Sequence, residues 1–267
     1  DRAALDRQIN LRARTPEHAD YFERWARDSA AARARLPFQC DLAYGTAPGE
    51  TLDFVPAGRV APLLAFIHGG YWQSLDKGDY SYLAAPFVEA GIAFASINYT
   101  LAPAAGIAQM VAEVRRAVIW LNVNAERLGI DRRRIVVAGH SAGGHLTAMA
   151  LMTDWADYGL PPDTLAGGCS ISGVYDLEPI GKSYQQEVLK IDRQTVETCS
   201  PQRLRPVPVL PLLLAVGAEE PEEFRDQQAD FAALWQGAGG PLGEVAMPAR
   251  HHFNAAVRGL ALNGILA

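Results

Sequence analysis

The chain has 267 residues, of which 49% are hydrophobic, and this is enough for the core of one large α/β domain. Its net charge of −6 comes from 24 basic and 30 acidic residues without long runs of either sign, so neither nucleic acid nor a membrane surface is an expected partner. No apolar stretch approaches the roughly 20 residues that cross a bilayer and no signal pattern opens the chain, so we expect a cytoplasmic protein with a small-molecule partner.

The first 36 residues are rich in Ala, Arg, Asp and Glu, and they predict a helical arm of one or two helices. Thr15-Pro16-Glu17 has the composition of a helix start, with a cap residue before a proline at the first helical position. Three strand-like runs follow at 38–44, 51–55 and 62–68, separated by turns rich in Gly and Pro. We interpret these runs as an antiparallel opening of the sheet.

From residue 78 onward the pattern alternates helices with strands, which predicts parallel strands joined by crossover helices. The predicted helices span 78–90, 107–128, 142–153 and 222–236, with a last one from Phe253. The predicted strands span 92–99, 134–138, 166–171, 209–216 and 243–247. The sequence therefore predicts a single α/β domain over residues 1–267, with a mostly parallel central sheet, helices on both faces, and a partial cap over the site at 175–208.

The stretch Gly139-His140-Ser141-Ala142-Gly143 lies between a predicted strand and a predicted helix. This is the pattern of a nucleophile elbow, in which a sharp turn lifts the serine out of the top of the sheet. His68-Gly69-Gly70-Tyr71-Trp72 follows another strand, and its adjacent glycines allow backbone N–H groups to turn toward an anion. We expect Ser141 to be a nucleophile, with the N–H groups of Gly70, Tyr71 and Ala142 forming an oxyanion hole.

A nucleophilic serine needs an imidazole base and a carboxylate that orients it, and in this fold they follow the serine in the order acid, histidine. His251 and His252 are the histidines well beyond the serine, and the residues alone do not decide between them. For the acid, Glu220 is preferred because it follows the later strand, ahead of Glu219 and then Asp176.

Three other histidines have less direct predicted roles. His145 lies one turn after the serine on its own helix, where a base would be badly directed, so we expect it to pack. His140 is expected to point away from the serine, and His68 to tie loops together. The three cysteines, Cys40, Cys169 and Cys199, have neither metal-ligand nor disulfide-framework spacing, so no metal is expected.

The two glycine motifs resemble those of the kynurenine formamidase (arylformamidase) branch of the α/β-hydrolases, which is close to the hormone-sensitive-lipase-like esterases. The esterases usually carry a third glycine where this chain has Tyr71, so the Tyr71-Trp72 pair favours the formamidase side. Further similarity lies at 98–103, 171–177 and 251–253.

The resemblance implies an α/β-hydrolase fold and the cofactor-free hydrolysis of N-formyl-L-kynurenine to kynurenine and formate. It implies His252 as the catalytic histidine, because that residue immediately precedes Phe253, and Glu220 as the acid, four residues before Phe224. Many family members have aspartate at that position, so the glutamate is a departure. Tyr71 and Trp72 are expected to contact substrate, with Trp155 and Tyr158 as further aromatic candidates for the pocket wall.

Several alternatives remain open from the sequence. A short-chain carboxylesterase, or another amide or imide hydrolase of a degradative or biosynthetic pathway, would use the same machinery. A non-catalytic ligand-binding module is a more distant alternative, because this fold also serves as a receptor after loss of triad residues. The sequence leaves oligomeric state open, and a homodimer through an exposed helix or an edge strand is compatible with it.

Overall fold

The computed structural model describes residues 2–206 and 209–259 of the chain, and one eight-stranded sheet runs through them. The strands lie in the order β1-β2-β4-β3-β5-β6-β7-β8. Their bounds are β1 Gln39–Ala43, β2 Thr51–Val55, β3 Ala61–Ile67, β4 Ala93–Ile97, β5 Ile130–His140, β6 Gly167–Ile171, β7 Leu212–Gly217 and β8 Leu242–Met247.

Helices pack around this sheet. The described residues form twelve α-helices: α1 Arg2–Ile9, α2 Leu11–Arg14, α3 His18–Arg35, α4 Ala84–Glu89, α5 Ile107–Val123, α6 Ala125–Leu128, α7 Ala142–Leu151, α8 Glu178–Gly181, α9 Gln186–Leu189, α10 Arg193–Cys199, α11 Glu222–Gly237 and α12 His252–Gly259. Three short 3₁₀ helices span Lys77–Leu83, Trp155–Tyr158 and Pro201–Arg203. Within the described ranges, none of these helices has the length and apolarity needed to cross a bilayer.

The sheet is mostly parallel, as predicted, but β3 was wrongly placed in its antiparallel opening. β1 pairs with β2, and β2 with β4, in antiparallel fashion, whereas β3 is parallel to both β4 and β5. The 3₁₀ helix Lys77–Leu83 and α4 form a crossover that returns the chain to β4 in the same direction. Residues 63–67 of β3 are completely buried, as expected for a strand covered on both faces.

The arm contains three helices rather than one or two. The predicted helix start at Thr15-Pro16-Glu17 is displaced, because α3 begins only at His18. The backbone N–H of Thr15 donates to the carbonyl of Leu11 at 3.0 Å, so Thr15 ends α2 instead of capping α3. The linkers between these helices have only one and three residues, and such short helices give weak periodic signals, so the sequence pattern predicts too few helices.

A cluster of charged side chains joins the arm to the sheet. Asp53, buried in β2, forms an ion pair with Arg33 of α3, and Lys77 Nζ lies 3.5 Å from the same carboxylate. Lys77 also pairs with Asp41 at 2.8 Å. Because the buried carboxylate has partners on two separate elements, the cluster fixes α3 against β2 and the 3₁₀ helix that follows β3.

Other predicted bounds shift by a few residues. The predicted helix 107–128 is divided at Asn124 into α5 and α6, and the first half of the predicted helix 78–90 is 3₁₀. The predicted strand 134–138 is longer at both ends, and β5 reaches His140. The predicted cap segment 175–208 carries α8, α9, α10 and the 3₁₀ helix Pro201–Arg203, with residues 207–208 outside the described part.

Candidate active site

Ser141 lies at a sharp turn between β5 and α7. Its backbone has φ 59° and ψ −120°, a strained conformation for a residue with a side chain, and its N–H donates to the carbonyl of Ile171 at 2.9 Å. Gly143 allows the turn to pack against β3, because a Cβ atom there would lie 2.0 Å from the carbonyl oxygen of Ile67. The turn therefore has the backbone geometry of the predicted nucleophile elbow.

The loop after β3 lies beside Ser141. A Cβ atom at Gly69 would come within 3.2 Å of the Ser141 Cβ. Gly70 has φ +108°, and its carbonyl accepts hydrogen bonds from the N–H of Ser74 at 3.1 Å and from its hydroxyl at 3.0 Å. Tyr71 continues the turn with φ 50°. This tight loop brings the backbone of Gly70 and Tyr71 next to the serine.

His252 and Glu220 form a hydrogen-bonded pair in the loops after β8 and β7. The Nδ1 atom of His252 lies 2.7 Å from Glu220 Oε2, and both residues are buried. The other carboxylate oxygen, Oε1, accepts from the hydroxyl of Ser172 at 2.5 Å and from the N–H of Gly217 at 2.8 Å. Three donors thus hold one carboxylate, and the Nε2 side of His252 is the side available to a reacting group.

The alternatives for the histidine and the acid lie elsewhere. His251 contacts the arm, with Nε2 3.2 Å from the hydroxyl of Tyr21. Glu219 is exposed, and its N–H donates to the carbonyl of Arg250. Asp176 forms an ion pair with Arg203 at 2.8 Å. Of these candidates, the structure brings together His252 and Glu220.

Ser172 contacts Glu220 and His140 contacts His252, and neither Ser172 nor His140 was predicted to belong to the site. Ser172 has φ 50° directly after β6, an unusual backbone for serine, and its position inside the similar stretch 171–177 is the signal that could have found it. His140 was expected to point away from the serine. Instead its ring centroid is 4.7 Å from that of His252, and its Nε2 donates to the backbone carbonyl of His252 at 3.0 Å.

The orientation of His140 follows from the elbow. Alternation along a regular strand ends at Ser141, where φ becomes positive, so the side chain of the last strand residue need not point opposite to the next one. Burial, and secondarily the proximity of His252, lower the pKa of His140 well below its usual value. We therefore infer a neutral ring with the proton on Nε2, which leaves Nδ1 facing the hydroxyl of Tyr80 at 3.4 Å.

His145 and Trp72 lie beneath the site. His145 Nε2 donates to the carbonyl of Cys199 at 2.7 Å, and its ring contacts the fully buried Trp72 edge-on at 5.1 Å. Trp155 is also fully buried, whereas Tyr158 is 42% exposed. Of the four aromatic candidates for the pocket wall, Tyr71 alone borders the cavity at Ser141 among the described residues. Trp72 therefore supports the loop from below, and His145 packs as predicted.

The buried His145 leads to a prediction about folding and pH. Burial lowers the pKa of His145 to about 4, against 6.5 when it is exposed. As the pH falls, the unfolded chain therefore takes up a proton on this histidine before the folded chain does. The contribution of neutral His145 to the free energy of unfolding is fully present above pH 6.5 and is lost as the pH falls toward 4. We expect this residue to account for a loss of about 3 kcal/mol between pH 7 and pH 4.

Urea unfolding of the wild type and of His145→Gln at these two pH values measures this contribution. Glutamine can place a donor where Nε2 lies but does not titrate, so the variant should show a shallower dependence on pH. Parallel curves for the two proteins would contradict the prediction, because His68 and His140 are present in both.

The turn at Ser141, the loop after β3 and the loop that carries His252 border one cavity of about 480 Å³, within the range of small-molecule sites. Ser141, His140 and His252 lie in its wall, together with Gly70 and Tyr71. The arm and the cap segment provide the other sides, with Asn10, Leu11, Arg12, Phe22, Trp25, Tyr184 and Gln185. The hydroxyl of Tyr71 donates to the carbonyl of Ile9 at 2.7 Å and so joins the loop to the arm. His68, outside the cavity, links loops as predicted, with Nε2 3.0 Å from Asn98 Oδ1.

The sheet order and the position of Ser141 in it define the protein as an α/β-hydrolase. A family model described as BD-FAE matches residues 54–161. Kynurenine formamidase from Danio rerio is 35% identical over 221 residues, which cover 79% of this chain and 74% of the relative. Kynurenine formamidase from Salmo salar is 35% identical over 234 residues, or 84% and 77% of the two chains. The chain belongs to the kynurenine formamidase family.

A solved structure agrees with the fold. The crystal structure of a candidate thioesterase from Silicibacter sp. TM1040 superimposes with a TM-score of 0.84 and 30% identity, covering 96% of this chain and 94% of that one. The relatives are formamidase and esterase hydrolases, so this chain is a hydrolase that acts on small acyl substrates. The predicted fold class and family are both confirmed.

Proposed function

We propose that this enzyme is an arylformamidase that hydrolyses N-formyl-L-kynurenine to kynurenine and formate through a Ser141-His252-Glu220 triad. The observation that carries the proposal is the 2.7 Å hydrogen bond between His252 Nδ1 and Glu220 Oε2 beside the strained Ser141, in a chain of the kynurenine formamidase family. The substrate is taken from the names of those relatives.

In the first half-reaction, Ser141 Oγ attacks the formyl carbonyl carbon while His252 Nε2 accepts the hydroxyl proton. Glu220 accepts the hydrogen bond from Nδ1–H, and this sets the tautomer that leaves Nε2 unprotonated. The carbonyl oxygen becomes an oxyanion, which the N–H groups of Gly70, Tyr71 and Ala142 stabilise. When the C–N bond breaks, His252 returns the proton to the departing aryl amine, and the formyl group remains on Ser141.

In the second half-reaction, water replaces the amine. His252 Nε2 accepts one proton from the water, the hydroxide oxygen attacks the formyl-serine ester, and the same N–H groups stabilise the second oxyanion. Collapse releases formate and returns the proton to Ser141. Water is the one co-substrate of this cycle.

The direct test is the specificity constant for N-formyl-L-kynurenine, measured beside 4-nitrophenyl acetate and butyrate. We expect a kcat/KM on the formamide in the ordinary enzyme range, about 10⁴ M⁻¹s⁻¹ or more. Ester turnover with negligible release of formate from the formamide would overturn the formamidase assignment.

Hydrolysis of short-chain esters is the second candidate function. The similarity to the candidate thioesterase of Silicibacter sp. TM1040 favours it, since thioesters and esters pass through the same acyl-serine route. The comparison of formamide with acetate and butyrate esters separates the two functions.

Glu220→Gln tests the proposed acid. The amide would present its NH₂ group to Nδ1 while its oxygen still accepts from Ser172 and Gly217, so His252 would carry its proton on Nε2 and could not accept one from Ser141. We expect kcat to fall about 10³- to 10⁴-fold. Glu219→Gln is the matched control, because it makes the same change at the exposed neighbour. A larger loss in Glu219→Gln than in Glu220→Gln would reassign the acid.

A further inference from the structure

A single formal charge borders the substrate cavity. Among the described residues that line it, Arg12 is the one arginine or lysine, and none is an aspartate or a glutamate. The chain as a whole carries a net charge of −6, so this wall differs in sign from the rest of the protein. A cation without a neighbouring acid raises the local concentration of anions and repels cations.

The position of Arg12 is defined by its neighbours in the arm. Its guanidinium carbon lies 5.5 Å from the centre of the Phe22 ring, a cation–π contact. The short helix α2 that carries it is capped by Asn10, whose Oδ1 accepts from the N–H of Ala13 at 3.1 Å. Arg12 and Tyr184 both line the cavity. Burial raises the pKa of the Tyr184 hydroxyl, and the nearby positive charge of Arg12 opposes this shift.

The guanidinium has unused bonding capacity. In residues 2–206 and 209–259, no carboxylate lies within 4.0 Å of Arg12, whereas four other arginines of the arm form ion pairs: Arg2, Arg27, Arg33 and Arg35. Arginine presents a planar set of donors that matches a carboxylate in bidentate fashion. Arg12 is exposed, so a substrate carboxylate can reach it without displacing a protein partner.

We propose that Arg12 binds the carboxylate of the substrate and selects acyl compounds that carry a carboxylate over those that do not. The inference rests on the proposed function, because N-formyl-L-kynurenine carries a carboxylate on the side chain of its aryl leaving group. Ser141 and Arg12 line the same cavity, so a substrate with its formyl carbon at Ser141 has Arg12 within the space open to that side chain. Arg12 is a specificity residue in this scheme and takes no part in the bond-breaking steps.

The test compares two formamides that differ in the carboxylate. 4-(2-Formamidophenyl)-4-oxobutanoate, which is N-formylkynurenine without its ammonium group, is measured against N-(2-acetylphenyl)formamide, which keeps the aryl formamide and the ketone but lacks the carboxylate. In Arg12→Gln, we expect the ratio of the two kcat/KM values to fall about 10- to 100-fold, as for loss of a charge-assisted hydrogen bond. The fall should come from a higher KM for the substrate that carries the carboxylate, with kcat little changed. Arg12→Lys should retain part of the preference. Raising the salt concentration should lower the wild-type ratio.

Arg14→Gln is the matched control. Arg14 belongs to the same short helix but does not line the substrate cavity; it borders a neighbouring depression with Glu17, Glu219 and the far side of the Glu220–His252 pair. We expect this variant to keep the wild-type ratio. An unchanged ratio in Arg12→Gln, or an equal fall in Arg14→Gln, would overturn the inference, since the effect would then be absent or due to net charge alone.

A second substrate pair separates this inference from the formamidase assignment. If the wild type hydrolyses acetate esters but not the formamide, the proposed function fails, and Arg12 is judged on 3-acetoxybenzoate against phenyl acetate. A fall in that ratio in Arg12→Gln supports an anion-selecting role on an esterase. An unchanged ratio overturns the role of Arg12 as well.

Discussion

Replacing Ser141 by alanine is expected to lower kcat on N-formyl-L-kynurenine by about 10⁴- to 10⁶-fold, because the variant has no nucleophile and only binding and the oxyanion hole remain. The strained backbone at this position favours a small side chain, so the fold should survive the change. Single-turnover assays of formate release, with thermal unfolding of both proteins, give the measurement.

Covalent labelling provides the control for this prediction. A fluorophosphonate should attach to the wild-type enzyme once, on the peptide that contains Ser141, although Ser74 borders the same cavity. The Ser141→Ala protein should remain unlabelled. Labelling of Ser74, or turnover near the wild-type rate in the alanine variant, would show that another group is the nucleophile.

His252→Gln is expected to lower kcat by about 10⁴- to 10⁶-fold, a loss comparable to that of the serine, because base and nucleophile act as one unit. Glutamine cannot accept a proton from Ser141 and return it to the amine. The hydrogen bond from His140 ends on the backbone carbonyl of residue 252, so the variant can keep that contact and the loop it holds.

His251→Gln is the matched control for this second prediction. The two histidines are adjacent in sequence, but His251 contacts Tyr21 of the arm and not Glu220. We expect His251→Gln to change kcat by less than about tenfold, the scale of one modest hydrogen bond. Equal losses in the two variants would mean that disturbance of the loop, and not removal of a base, causes the effect.

The parts of the site that were predictable are those that depend on neighbouring residues. Ser141 was recognised because strand, glycine turn and helix follow one another within about twenty residues. The loop after β3 was recognised for the same reason, since Gly69 and Gly70 directly follow a buried strand. Local sequence determines these turns, because φ and steric space are properties of a few consecutive residues.

The contacts that distinguish His251 from His252 involve distant residues. His252 contacts Glu220, 32 positions earlier, whereas His251 contacts Tyr21, which is 230 positions away in the arm. No periodic pattern reports such contacts, and the residues alone left the two histidines equal; the resemblance to the family favoured His252. The direction of β3 and the contact of His140 with His252 were missed for the same reason, because sheet order and a bent strand end decide them.

The hydrogen bond from Tyr71 to the carbonyl of Ile9 joins two regions with separate tasks. Residue 71 belongs to the loop proposed to form the oxyanion hole, and residue 9 ends α1, two residues before the short helix α2 that carries Arg12. A ligand held by Arg12 would therefore also restrain the loop proposed to stabilise the transition state. In this way, binding energy from the end of the substrate far from the acyl group can raise kcat. Substrates that lack this end should therefore show a lower kcat as well as weaker binding.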